Sequence, residues 1–324
     1  MIREPMPLVS VLTPAYNEEK YISECIESVL AQTYPNWEYV IVNNCSTDKT
    51  VEIARSYAAK DPRISIIDAK PFVPAMANIN RTFRQVSKRS KYCKMVLADD
   101  WIFPECLERM VALAEENPSV GIVGAYGLLD GRVEWVGLPY PSTVVLGREA
   151  CRQRLLGGPY VFGSSTSVLF RSDLVRNRDP FYDESNVHAD STACLDLLKQ
   201  CDFGFVHQVL SFSRERPASL VKASLELNTV AHNILHELIA YGPFYLTPEE
   251  FQDRLKITVS NYYRFLTTSL LQRREKKFWD YHKAMMKQEG MEFSYARLVF
   301  SLWERLLGKF RHLREIRKRR YWGI

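Results

Sequence analysis

The chain has no C-x-x-C pair, and its seven cysteines (25, 45, 93, 106, 151, 194 and 201) are odd in number. That argues against a disulfide framework or a zinc site and for a reducing compartment. No apolar run approaches the ~20 residues a membrane-spanning helix needs, and the segment Met1 to Pro7 has no apolar signal region. A cytoplasmic protein is expected, at least at synthesis. There is no G-x-G-x-x-G, so a dinucleotide fingerprint is missing. Internal repeats and low-complexity linkers are also absent.

What is present is ordinary in bulk. The 324 residues are 46% apolar and 25% charged, enough for a substantial globular core. The charge is uneven. Between Arg305 and Arg320 lie eight Arg/Lys against Glu315 alone, a local +7. With +5 in total, the rest of the chain stands near −2. That body offers no basic face readable from sequence, so no nucleic-acid partner is expected.

The first half alternates apolar runs with helical periodicity, which predicts right-handed βαβ units and a mostly parallel sheet. Expected strands are 8–13, 37–42, 63–67 and 94–98, with helices over 20–32, 48–59, 75–87 and 104–116, the last with Pro104 in its first turn. The runs 120–129 and 132–138 flank Asp130-Gly131 and predict a hairpin. A strand over 164–170 precedes a helix over 190–199. From about Ser219 glycine becomes rare and four helices are expected, over 225–240, 248–271, 275–288 and 294–320. The chain thus divides into residues 1–218 and a helical extension, 219–324.

Three loops follow expected strands, where open α/β sheets bind ligands. The first, Pro14-Ala15-Tyr16-Asn17-Glu18-Glu19, offers Tyr16 to stack on a base and a helix start; Asn17 or Glu18 would also serve simply as a helix cap. The second, Asn43-Asn44-Cys45-Ser46-Thr47-Asp48, carries Asn44, whose amide both donates and accepts. The third ends an apolar run at Asp99-Asp100. Paired carboxylates suit a hard divalent ion that also holds phosphate, or a solvated turn capping the next helix.

In this order the loops resemble the family 2 glycosyltransferases of the GT-A fold, over about residues 7–217. The resemblance implies a Rossmann-like, mixed and mostly parallel sheet flanked by helices. It implies inverting transfer of one sugar from a nucleotide-diphosphate sugar to a hydroxyl of a saccharide or lipid-linked saccharide, in surface polysaccharide or glycoconjugate synthesis. Carried over by position, Pro14, Ala15, Tyr16 and Glu18 line the nucleotide, and Asn44 stands where the family usually has an aspartate for uracil. An amide oxygen accepts that bond without charge assistance, so the base, UDP included, stays open. Asp99 and Asp100 are the metal carboxylates for Mg²⁺ or Mn²⁺, while Leu97 replaces the first aspartate of the commoner D-x-D-D. Asn78 and Arg81 match donor-facing positions. Arg214 and Arg216 suit a loop over the diphosphate. Asp190 is the candidate general base, or otherwise a helix N-cap. No Q-x-x-R-W, the signature of processive synthases, occurs.

Two alternatives remain at this point. A scaffold that kept the fold and lost activity is favoured by Asn43 and Asn44. A nucleotidyltransferase is disfavoured because residues 13–19 contain no Gly, Lys or Arg. In the tail, residues 295, 298, 299, 302, 303, 306, 310 and 313 form an apolar helical stripe. Over 294–320 it reads either as a helix packed on the catalytic domain or as one bound to an anionic membrane surface, which would make the protein peripheral on the cytoplasmic face.

Overall fold

The computed structural model describes residues 6–134, 136–214, 224, 226–305 and 307. The chain forms two compact units, Met1–Pro217 and Ala218–Ile324.

The first unit is built on a mixed sheet. Its strands are β1 (Val9–Ala15), β2 (Trp37–Asn43), β3 (Ile64–Asp68), β4 (Tyr92–Met95), β5 (Trp101–Ile102), β6 (Val120–Leu129), β7 (Arg132–Glu134), β8 (Val144–Val145), β9 (Val168–Arg171) and β10 (Asp202–Ser213). The order across the sheet is β3-β2-β1-β4-β9-β6-β10-β5. The β3-β2-β1-β4 half is parallel throughout; β9 runs antiparallel between β4 and β6, and β10 pairs parallel with β6. Parallel strands are covered on both faces, which is why every residue of β1 except Pro14 is buried. Helix α1 (Ile22–Leu30) buries Ile22, Cys25, Ile26 and Val29 at helical spacing. Burying such an aliphatic side chain stabilises by about 1.5–3 kcal/mol. Thr13 ties β1 inward, donating to the Val96 carbonyl at 2.7 Å.

The remaining helices of this unit are α2 (Thr50–Ala58), α3 (Ala75–Phe83), α4 (Cys106–Glu116), α5 (Gly147–Leu155), α6 (Ser172–Arg176) and α7 (Ala189–Leu197). Three details differ from the sequence reading. Strand β4 stops at Met95, so Asp99-Asp100 sits on a turn four residues beyond it. Helix α4 begins at Cys106, leaving Pro104 ahead of it, and neither aspartate caps it. The expected strand over 164–170 opens instead as a 3₁₀ turn, Ser165–Ser167. The hairpin forms as expected: Leu129 pairs with Arg132, and Asp130 and Gly131 take φ of 45° and 84°. Those two left-handed residues give the turn whose twist matches paired strands.

The second unit contains α8 (Thr229–Tyr245), α9 (Pro248–Leu271), α10 (Lys276–Gln288) and a helix over 295–305. Helix α9 starts on a capping box in which Thr247 and Glu250 exchange side-chain and backbone bonds, with Pro248 first in the helix. Helix α8 continues to Tyr245 through Gly242-Pro243 rather than ending at 240. Leu235, Tyr262, Tyr263, Leu266, Phe278, Met286 and Leu298 share one core. His282 is fully buried there. Its Nε2 donates to the Leu227 carbonyl at 2.8 Å, so Nδ1 accepts from the Tyr262 hydroxyl at 2.6 Å, and burial lowers its pKa to about 4.

Glu289 accepts at one carboxylate oxygen from His232 Nε2 and His236 Nδ1, both at 3.0 Å. Burial pushes its pKa up, but the two histidine bonds outweigh this and hold it at about 2. A carboxylate held below its unfolded value stabilises the fold above that value and loses the contribution as pH falls. Glu289→Gln is therefore expected to cost up to about 3 kcal/mol at pH 7 and little at pH 2, read by urea denaturation across that range. Equal loss at both ends would contradict the assignment.

Candidate active site

The loops after β1 and β2 interlock through their own backbones. Asn17, at φ 55°, accepts from Thr47 N–H at 2.8 Å through its side chain and donates its own N–H to Ser46 Oγ at 3.0 Å. Glu19 N–H donates to Asp48 at 3.0 Å, Lys49 N–H donates to the Glu19 carboxylate at 3.1 Å, and Glu18 N–H donates to Thr50 Oγ1 at 2.6 Å. The result is a rigid shelf at the carboxyl edge of the sheet. Pro14 and Ala15 form its floor, with the Ala15 carbonyl accepting from Asn44 N–H at 2.9 Å. Tyr16 lies exposed against Phe72, ring centroids 4.9 Å apart. Phe72 was not singled out from sequence. It sits in the Lys70-Pro71-Phe72-Val73-Pro74 loop after β3, where an exposed aromatic beside Tyr16 extends a stacking surface.

Asn44 is placed differently from the sequence reading. It is 2% exposed, and its amide donates to the Val73 carbonyl at 2.8 Å and accepts from Val73 N–H at 3.1 Å. Both amide functions hold the Phe72 loop instead of presenting a free edge to a base. Asn43 is likewise engaged, donating to Asp68 at 3.0 Å and accepting from Ser46 N–H at 2.9 Å.

The two aspartates separate in role. Asp99 is half-buried at the turn, whereas Asp100 is 4% exposed. Asp100 accepts from Thr166 Oγ1 at 2.6 Å, Ser213 Oγ at 3.1 Å and Arg214 N–H at 3.3 Å. Burial and the neighbouring charge of Asp99 push its carboxyl up to about 7, against the pull of those three donors. Asp100 thus points into the protein. Among the described residues no group of three or more His, Cys, Asp or Glu is arranged to hold a metal. Of the two carboxylates expected to hold a metal, Asp99 is the more exposed and Asp100 is engaged by protein donors.

Arg214 closes this corner. Its Nε donates to the Asp99 carbonyl at 2.9 Å, its guanidinium pairs with Glu24, and it lies 4.7 Å from the Tyr21 ring centroid. Arg216 lies outside the described residues.

Helix α3 supplies Asn78 and Arg81. Asn78 is 3% exposed and its Oδ1 has no hydrogen-bond partner among the described residues. Arg81 donates one Nη to the Pro71 carbonyl at 3.0 Å, while its buried Nη1 is also without a partner. Ser164 Oγ, just before the 3₁₀ turn, is the third such atom in this unit among the described residues. Buried polar groups are nearly always satisfied, so each of these is a place for a ligand or water to bond.

The 3₁₀ turn is a hub that sequence reasoning missed. Thr166 holds Asp100, and Ser165 Oγ lies 3.0 Å from the Tyr182 hydroxyl. Beneath them Lys94, wholly buried, donates from Nζ to the Thr166 and Val168 carbonyls at 2.6 and 3.2 Å. Burial lowers the Lys94 pKa. Tyr182 is pushed up mainly by burial and further by the nearby charge of Asp190. Asn80, also unread in the sequence, clamps the approach to Asp190 by bonding both backbone groups of Tyr182 at 2.8 Å. Asp190 itself stands half-buried in the first turn of α7, where His188 is the N-cap, and accepts from Ser191 N–H at 2.9 Å.

A mixed, mostly parallel sheet with interlocked strand-end loops and an acidic turn defines a GT-A glycosyltransferase. The family model for glycosyl transferase family 2 matches residues 10–178, and the chain belongs to that family. An uncharacterized glycosyltransferase of Haemophilus influenzae is 27% identical over 243 residues, 72% of this chain and 70% of its own. The chain spans about half the length of two Bacillus subtilis relatives. The crystal structure of Staphylococcus aureus TarS 1–349 with UDP superposes with a TM-score of 0.59 at 20% identity, covering 83% of this chain and 75% of that one. A Pyrobaculum calidifontis mannosyltransferase with GDP-Man and Mn²⁺ gives 0.54 at 16% identity, covering 94% of this chain and 89% of that one.

Proposed function

We propose that this glycosyltransferase moves one sugar, with inversion, from a nucleoside diphosphate sugar to a hydroxyl of a saccharide or lipid-linked saccharide acceptor, in polysaccharide or glycoconjugate synthesis. The observation that carries this reading is the set of unsatisfied buried atoms, Asn78 Oδ1, Arg81 Nη1 and Ser164 Oγ, in the unit that bears Tyr16 and Asp99. A donor rich in hydroxyls and phosphate oxygens offers partners for all three. Solved structures of the same fold hold UDP, UDP-GlcNAc and GDP-Man, which supports a nucleotide donor without choosing the base.

In this reading Tyr16 and Phe72 stack on the base, above the shelf formed by Pro14, Ala15 and Glu18. Asn44 acts by fixing the Phe72 loop. Arg81 and Arg214 face the diphosphate, Arg214 exchanging Glu24 for phosphate. Asp99 would hold Mg²⁺ or Mn²⁺, which would supply positive charge for the leaving diphosphate. Asp190 accepts the acceptor's hydroxyl proton as its oxygen bonds to the anomeric carbon and the bond from that carbon to the diphosphate oxygen breaks. Seven free thiols, six of them buried, suit a reducing compartment, and we place the enzyme in the cytoplasm.

A thermal-shift panel of nucleoside diphosphates and their sugars, with and without Mn²⁺, tests the reading. At a hundred-fold excess over Kd, a ligand of the native state raises the melting point by roughly 5 °C. We expect one base to do so, more strongly with Mn²⁺. A flat panel would overturn donor binding, and binding without donor turnover on any acceptor would favour the scaffold alternative.

A further inference from the structure

The second unit carries an apolar face that its own core does not use. In the helix over 295–305 and at residue 307, Leu298 and Ser301 turn inward, 8% and 6% exposed. Val299, Phe300, Trp303 and Leu307 turn outward, at 65, 59, 60 and 39% exposure. At 3.6 residues per turn those four fall within an arc of about 100°, a single continuous face. The expected stripe therefore splits: one edge packs in the second unit's core and the other meets solvent. Among the described residues no helix is long and apolar enough to cross a membrane.

This face runs in sequence into the basic cluster, eight Arg/Lys between 305 and 320. We propose that Val299, Phe300, Trp303 and Leu307 insert into the interface of an anionic bilayer, with the basic cluster holding the phospholipid headgroups. Aromatic and aliphatic side chains on one face beside concentrated positive charge are what interfacial helices use. A second copy of the chain is a poorer occupant, since self-association through this face would bring two +7 clusters together. The proposal does not depend on the sugar-transfer reading.

Co-sedimentation of the full chain with phosphatidylcholine vesicles, with and without phosphatidylglycerol, tests it. The wild type is expected to pellet with the anionic vesicles and to be released by high salt. Val299→Ser with Trp303→Ser is expected to weaken pelleting at least ~10-fold. Removing four charges, as Arg317→Gln, Lys318→Gln, Arg319→Gln and Arg320→Gln, is expected to do the same, at ~5-fold per charge or less. These four charges lie outside the described helix, so this arm survives if the apolar variant fails to fold. A wild type that stays in the supernatant, or pelleting unchanged in both variants, overturns the proposal. So does a dimer in sedimentation velocity that disappears in the apolar variant, which would assign the face to a second copy.

Discussion

Asp190→Asn is expected to lower turnover by about 10²–10⁴-fold while nucleotide affinity stays within about two-fold. That loss is worth about 3–5 kcal/mol of transition-state stabilisation. The substitution keeps shape and keeps an oxygen to accept from Ser191 N–H at 2.9 Å, so α7 should start as before. What it removes is basicity. Asp190 suits that role because Asn80 fixes the adjoining segment through Tyr182. Release of nucleoside diphosphate, with acceptor or with water in its place, measures the step. Undiminished release would remove Asp190 from the mechanism. The thermal shift with nucleotide, retained in the variant, would separate this loss from a loss of donor binding.

The parallel half of the sheet was legible because its physics is local. Short β-rich runs followed by i, i+3, i+4 periodicity leave few alternatives, and β1 with α1 formed within two residues of their expected bounds. The 3₁₀ turn at Ser165–Ser167 was illegible because Ser164 to Phe170 has strand-like composition. Its geometry is imposed from below by Lys94, and nothing in a strand sequence announces that a lysine is fully buried. Helix α8 ran past its expected end through Gly242, which lies against the Phe251 ring, where a side chain would collide. Asn44 shows the limit of reading a site by position. It follows β2 as expected, but its amide has a backbone partner 29 residues away that only folding brings near.

Asp99 and Asp100 are neighbours for which opposite outcomes are expected. Asp99→Asn should weaken Mn²⁺-dependent nucleotide binding about 10- to 100-fold, the worth of a charge-assisted contact. Turnover should fall further, because the leaving diphosphate then lacks its compensating charge. Asp100→Asn should leave the Mn²⁺ dependence in place. Its carboxyl already accepts from Thr166, Ser213 and Arg214, and its inward position keeps it from the cation. An amide can satisfy only part of that arrangement, since its NH₂ meets at least one donor. The expected cost is about 1–3 kcal/mol of stability, seen as a lower melting temperature. Titrating UDP and GDP against each variant with and without Mn²⁺ distinguishes the two. Loss of the metal effect in Asp100→Asn with its retention in Asp99→Asn would reverse the assignment. Loss in both would restore a two-carboxylate site and require Asp100 to turn outward when the donor binds.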